Sequence, residues 1–172
     1  GKGLRASQLR AGKRNNQRGH YAMGTMTRQE AVEFIKSWAW GTLIGVEGNN
    51  PYAVEVSYGT DGEYIYCGSK PGGRMAKCLK ANNNVVFKIC KSDRNAETFK
   101  AVIIEGMAER LTSYEDVLHG LRSVARQVDL DENLLDPIAK RNYNNPESNF
   151  IRIPIKVFSG IKRGGGTIRV AP

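Results

Sequence analysis

Gly68-Ser-Lys-Pro-Gly-Gly-Arg74 is the stretch of this chain whose residue types and spacing can do chemistry. Its glycines let the backbone come close to a ligand, while Ser69, Lys70 and Arg74 offer donors. The loop opens a short helix predicted from about Arg74 to Ala81. A helix start presents N–H groups that lack partners, so the pattern predicts an anion cradle suited to an oxyanion-bearing cofactor. Other chemistries are poorly supplied. No Ser–His–Asp arrangement, paired-carboxylate signature or Walker loop is visible. Cys67, Cys78 and Cys90 form no CxxC, and with His20 and His119 as the only histidines a zinc site is not expected.

The elements that must position this loop follow from pattern. Thr27-Arg-Gln-Glu30 is a capping box, and it opens a helix with Ala31, Val32, Phe34, Ile35, Trp38 and Ala39 on its apolar face. Trp38 is accordingly expected in the core. Gly41–Val46 reads as a buried strand turned by Glu47-Gly-Asn-Asn50. Residues 52–58 and 63–67 read as a hairpin, with Asp61-Gly62 as its type I′ turn. Strands are predicted at 85–90, 99–108 and 150–157, with Pro154 marking an edge or irregular position. Ser113 with Asp116 caps a helix through Ala125, and a second helical piece runs through Leu134 to Ala139. Five or six strands with helices at the start, middle and end predict a mainly β (α+β) chain folded as a small antiparallel barrel.

The net charge of +9 belongs to the ends. Lys2, Arg5, Arg10, Lys13, Arg14 and Arg18 stand in residues 1–20 with no acid, and Arg152, Lys156, Lys162, Arg163 and Arg169 close the chain. The body between holds 15 basic and 17 acidic residues, which argues against a folded surface built for nucleic acid. Residues 1–22 are read as a basic flexible arm, 23–163 as the domain and 164–172 as a tail. No stretch approaches the ~18 apolar residues of a membrane span, and the polar start shows no secretory segment. The cysteines are read as small buried hydrophobes in a reducing cytoplasm, and His119 as a structural histidine.

The chain resembles the split-barrel flavoproteins that include pyridoxamine 5'-phosphate oxidase, and within them the Nim-type nitroimidazole-resistance branch. The residues that carry the resemblance are Gly41-Thr-Leu-Ile, Pro51–Tyr58, Gly62-Glu-Tyr-Ile-Tyr66, Gly73-Arg74, Asn83–Phe87, Ile104–Leu111, Ile151-Arg-Ile and Gly160-Ile-Lys162. It implies a split β-barrel of Greek-key type with flanking helices, and a homodimer with FMN at the subunit interface. It also implies that Glu55, Val56, Ser57 and Tyr58 line the isoalloxazine edge. Ser69 would then stand beside the phosphate or ribityl chain, and Arg74 at the first basic position of the phosphate-binding pair. Gly68, Lys70 and Gly73 would complete the cofactor-binding loop, with Lys70 or Lys77 supplying charge outside the family register. Four positions depart from the family pattern. Met75 replaces the second basic residue of the phosphate-binding pair, and Gly68 replaces the His common in Nim-type proteins. Ala53 and Tyr58 stand where the oxidase carries basic residues, so pyridoxamine phosphate oxidation itself is not expected.

The expected function is an FMN-dependent oxidoreductase passing electrons from reduced flavin to a small acceptor such as a nitro compound, a quinone or another flavin. A flavin supplies its own redox chemistry, so such a protein needs no conspicuous catalytic residue. The alternative is a flavin or haem carrier or sensor on the same barrel.

Overall fold

The structure, a computed structural model, describes residues 23–164. Strand β1 (Gly24–Thr25) leads into helix α1 (Arg28–Lys36), whose N-cap Thr27 accepts from the Glu30 N–H at 3.2 Å. The helix ends at the C-cap Ser37, so Trp38 leaves the helical register and stands 37% exposed rather than in the core. Strand β2 (Trp40–Glu47) alternates buried Gly41, Leu43 and Gly45 with outward residues. A two-residue loop, with Gly48 at φ +58, turns it into β3 (Asn50–Thr60).

Strand β3 is long enough to serve two sheets. Asn50–Ser57 pair with β2, and Tyr58–Thr60 pair with β4 (Tyr64–Gly68). Thr60 pairs with Ile65, which makes the connection a four-residue loop and not the expected two-residue turn. The reason is Asp61: its Oδ1 accepts from the N–H groups of Glu63 and Tyr64, both at 2.9 Å, which widens the turn around the side chain.

Helix α2 (Arg74–Ala81) carries the chain back to β5 (Asn84–Ser92), which lies beside β2, not β4. The spatial order β5-β2-β3-β4 is a Greek key. Strand β6 (Phe99–Met107) pairs with β5, and after Ala108 the chain continues as β7 (Glu109–Arg110). Helix α3 (Tyr114–Val128), a 3₁₀ turn at Glu132–Leu134 and helix α4 (Leu135–Tyr143) then cover one side. The last strand of the prediction is two strands. β8 (Phe150–Pro154) pairs with β4 and β7, and β9 (Val157–Arg163) pairs with β6. Because only Ala108 separates β6 from β7, the ladder returns on itself, and the result is the split barrel expected.

The barrel is filled by Leu43, Tyr58, Ile65, Phe87, Ile104 and Ile153, all fully buried. Each such side chain contributes roughly 1.5–3 kcal/mol of transfer free energy. A second cluster of Tyr66, Leu111, Val117, Ala139 and Phe150 lies under α3 and α4. Cys67 and Cys78 are buried as expected, and the Cys67 thiol is pushed up to about 12 by burial. Cys90 departs from the expectation: strand alternation turns it to the surface.

Candidate functional site

The Gly68–Arg74 loop is built by three neighbours. β4 ends with Gly68 opposite Phe150 of β8. The chain then turns tightly, with Gly72 at φ +67 and the Gly73 N–H donating to the Lys70 carbonyl at 3.0 Å. Gly73 is the N-cap of α2, so it offers no capping side chain, and the first turn holds no acidic residue. The N–H groups at the start of α2 are therefore left for a ligand. Ser69 is placed beside them by Asn149, whose Nδ2 donates to the Ser69 Oγ. The Arg74 guanidinium lies 4.5 Å from the centroid of the Tyr52 ring, and Lys70 is exposed. Glu147 faces Gly72 and is paired with Lys80 at 3.7 Å, which offsets its charge at this edge.

Two of the departures from the family pattern, Met75 and Gly68, fit their surroundings. Met75 is 3% exposed and packs against Gly45 of β2, where a lysine would bury its ammonium. A Cβ on Gly68 would lie 3.2 Å from the Phe150 ring, which occupies the space a histidine would enter.

The predicted β3 contributors do not share one face. Val56 and Tyr58 point into the barrel, and the Tyr58 hydroxyl donates to the Ile35 carbonyl while its ring meets Phe87 edge-on at 5.5 Å. Burial raises the Tyr58 pKa, opposed by its hydrogen bond with Gln127. The side chains of Val56 and Tyr58 are thus core, and at these two positions only the backbone is left to meet a ligand edge. Glu55 and Ser57 point outward, Glu55 accepting from the Thr42 hydroxyl. Tyr52, which carries Arg74, has the parity of Val56. Glu55 and Ser57 therefore stand on the other face of β3 from the loop. The structure gathers Gly68, Ser69, Lys70, Gly73 and Arg74, and leaves Glu55 and Ser57 on the outer sheet face.

Asn149, Tyr52 and Glu147 were missed by sequence reasoning, since each meets the loop only through the fold. So was a part-buried polar cluster where α3 meets the β3–β4 loop. Asp61 Oδ2 accepts from the Tyr66 hydroxyl at 2.7 Å and lies 2.9 Å from His119 Nε2. Burial acts to raise the Asp61 pKa, but hydrogen bonds from Tyr66, His119 and the Tyr64 and Glu63 N–H groups outweigh it and bring it from 3.8 to about 2. The folded carboxylate therefore binds its proton less readily than the unfolded one. Its stabilisation is complete above about pH 4 and is lost as pH falls towards 2. The urea midpoint of the protein should fall across that window, and Asp61→Asn should flatten the fall. An unchanged slope in the variant would contradict the assignment.

These features define an antiparallel split-barrel protein with a glycine-rich loop leading into one uncapped helix start that is free of acid. Residues 27–162 match the family described as pyridoxamine 5'-phosphate oxidase, and the chain belongs to that family. Among solved structures, a conserved hypothetical protein of Mycobacterium tuberculosis is 25% identical, over 78% of this chain and 84% of that one, with a TM-score of 0.65. A candidate 5-nitroimidazole antibiotic resistance protein of Bacteroides thetaiotaomicron is 18% identical, over 82% and 87%, with a TM-score of 0.64. An FAD-binding protein of Mesorhizobium loti is 21% identical, over 83% and 99%, with a TM-score of 0.60. An uncharacterised protein of Rhizobium meliloti is 24% identical over 94 residues, 55% of this chain and 61% of that protein's length. No helix of the described residues is long and apolar enough to cross a membrane. The expected basic arm, residues 1–22, and all of the tail beyond Gly164 lie outside the described residues.

Proposed function

We propose that two copies of this chain bind FMN, with its phosphate in the Gly68–Arg74 loop, and that the flavoprotein passes electrons to a small acceptor. The carrying observation is the start of α2, uncapped, free of acid and flanked by Ser69 and Arg74. These residues fit a phosphate: the N–H groups and Arg74 would hold it, with the Ser69 hydroxyl fixed beside them by Asn149. Bound flavin supplies hydride and electron transfer, while the protein binds and orients it. FAD binding in the Mesorhizobium relative supports a flavin as the ligand class.

The outer sheet face supports a second copy. Register places Trp40, Ile44, Val86, Ile103, Met107 and Val157 on one side of four adjacent strands. Trp40, Met107 and Val157 are each more than half exposed, and a groove of 440 Å³ runs between Ile44, Val86 and Met107. Apolar surface of this extent marks an interaction site. The same face carries Glu55 and Ser57, so a covering copy would bring them into the interface. Two buried free thiols, Cys67 and Cys78, suit a reducing cytoplasm.

The test is titration with FMN and with riboflavin, joined to sedimentation of the product. FMN is expected to bind a two-copy species and riboflavin to bind it far more weakly. Failure to take up FMN at micromolar concentration would sink the proposal. Retained FMN without turnover of reduced nicotinamide with any acceptor would favour the carrier reading.

A further inference from the structure

Three lysines stand in one row across the end of the barrel. Lys91 of β5 is directly opposite Lys100 of β6, and Lys100 is directly opposite Lys162 of β9. Directly paired residues of antiparallel strands share a face, and like charges so placed repel. The row lies two residues beyond Ile89, Val102 and Gly160, on the core-facing side, where α1 passes over the mouth of the barrel. Its outer members are occupied. Lys162 Nζ is 2.9 Å from a Glu30 carboxylate oxygen, and Lys91 Nζ is 4.9 Å from the centroid of the Trp38 ring. Lys100 between them makes no ion pair among the described residues.

Two cavities meet at Lys100. One of 380 Å³ is lined by Phe34, Lys91, Phe99, Lys100 and Arg163, among others. One of 240 Å³ shares Phe34, Ser37 and Lys100 and reaches Lys162. The carboxylate of the larger cavity, Asp93, already accepts from the Thr98 N–H and hydroxyl, both at 3.0 Å. It keeps its negative charge, but Lys91, Lys100 and Arg163 outnumber it in that cavity. In the smaller cavity, Glu30 is paired with Lys162 and Glu33 accepts from Gln29 at 3.2 Å. Lys100 feels the Glu30 carboxylate without pairing to it. The cations around the two cavities, Lys91, Lys100, Lys162 and Arg163, outnumber the carboxylates Glu30, Glu33 and Asp93 beside an apolar floor.

We propose that this mouth is a second binding site, for a small anion on a flat apolar body such as an aromatic carboxylate. Its charge would sit between Lys91 and Lys100, and its ring against Phe34 and Phe99. The larger cavity is of the size that holds such molecules, on the order of 300–1,000 Å³. The site shares no lining residue with the Gly68–Arg74 loop and does not depend on flavin.

Calorimetric titration of the full chain with 1-naphthoate tests it, with 1-naphthalenemethanol as the uncharged control. One naphthoate per chain is expected, weakened by salt, with the alcohol about tenfold weaker or worse. Lys100→Met should lose about tenfold in naphthoate affinity and, by relieving the row, raise the unfolding temperature of the free protein. Lys156→Met, a change at an exposed lysine outside both cavities, should alter neither. Equal naphthoate affinity in Lys100→Met and the unchanged protein would overturn the proposal, as would an alcohol that binds equally well. Binding lost with Arg74→Gln but kept with Lys100→Met would place the probe in the α2 cradle and overturn it too.

Discussion

FMN is expected to bind the Arg74→Gln variant about ten- to a hundredfold more weakly, while riboflavin binding stays unchanged. A hydrogen bond to a charged group contributes roughly 1.5–3 kcal/mol, and each 1.4 kcal/mol is about tenfold in affinity. Arg74 opens α2 and stacks on Tyr52, so its guanidinium is held near the N–H groups that would share the phosphate. Glutamine keeps the helix propensity and part of the stem but removes the charge. A smaller loss is expected for Ser69→Ala, because Asn149 remains to donate in its place. Quenching of flavin fluorescence measures both ligands. Equal losses for FMN and riboflavin would mean that position 74 acts on the ring or on the fold, and not on a phosphate.

The Gly68–Arg74 loop and the helix it opens were legible in the sequence because they are contiguous: seven residues supply the turn, the polar side chains and the helix start. What holds those donors was not legible. Asn149 lies 80 residues from Ser69, and His119 lies 58 from Asp61. Neither pair leaves a local pattern, since each is made where β4 meets β8 or where α3 crosses the β3–β4 loop. The glycine loop before it and the Asn82–Asn84 break after it place α2 at about Arg74 to Ala81, where it lies. Thr27 and Ser113 cap their helices as expected; apolar periodicity is the weaker guide. It failed at Trp38, where the apolar spacing continues past the point at which Ser37 ends the helix. It failed again at Asp61-Gly62, where the side chain of Asp61 competes with the tight turn for the same backbone donors. The run Glu55–Tyr58 shows the most general lesson. Alternation splits any such run between two faces, and only the register with β2 says which half is core.

Gly59→Ala is expected to be strongly destabilising. A Cβ there would lie 2.2 Å from the Ser123 carbonyl carbon and from the Val124 nitrogen. Both are backbone atoms of α3, so no rotamer change relieves the clash, and the whole helix must move off β3. That helix carries Val117 and Ala125 into the interior and brings His119 to Asp61. Overpacking of cores costs roughly 1–3 kcal/mol, and a backbone collision belongs at or above the top of that range. Against a total stability of about 5–15 kcal/mol, the loss would be plain in a urea titration. Gly48→Ala sets the scale for comparison. Nothing lies within 4 Å of its would-be Cβ, and its φ of +58 alone gives about 1–2 kcal/mol of strain. Gly59→Ala should therefore shift the midpoint well beyond Gly48→Ala and should also weaken the pH-dependent contribution of Asp61. Equal shifts would mean that α3 does not rest on the backbone of β3, and the Asp61–His119 pair would lose its support with it.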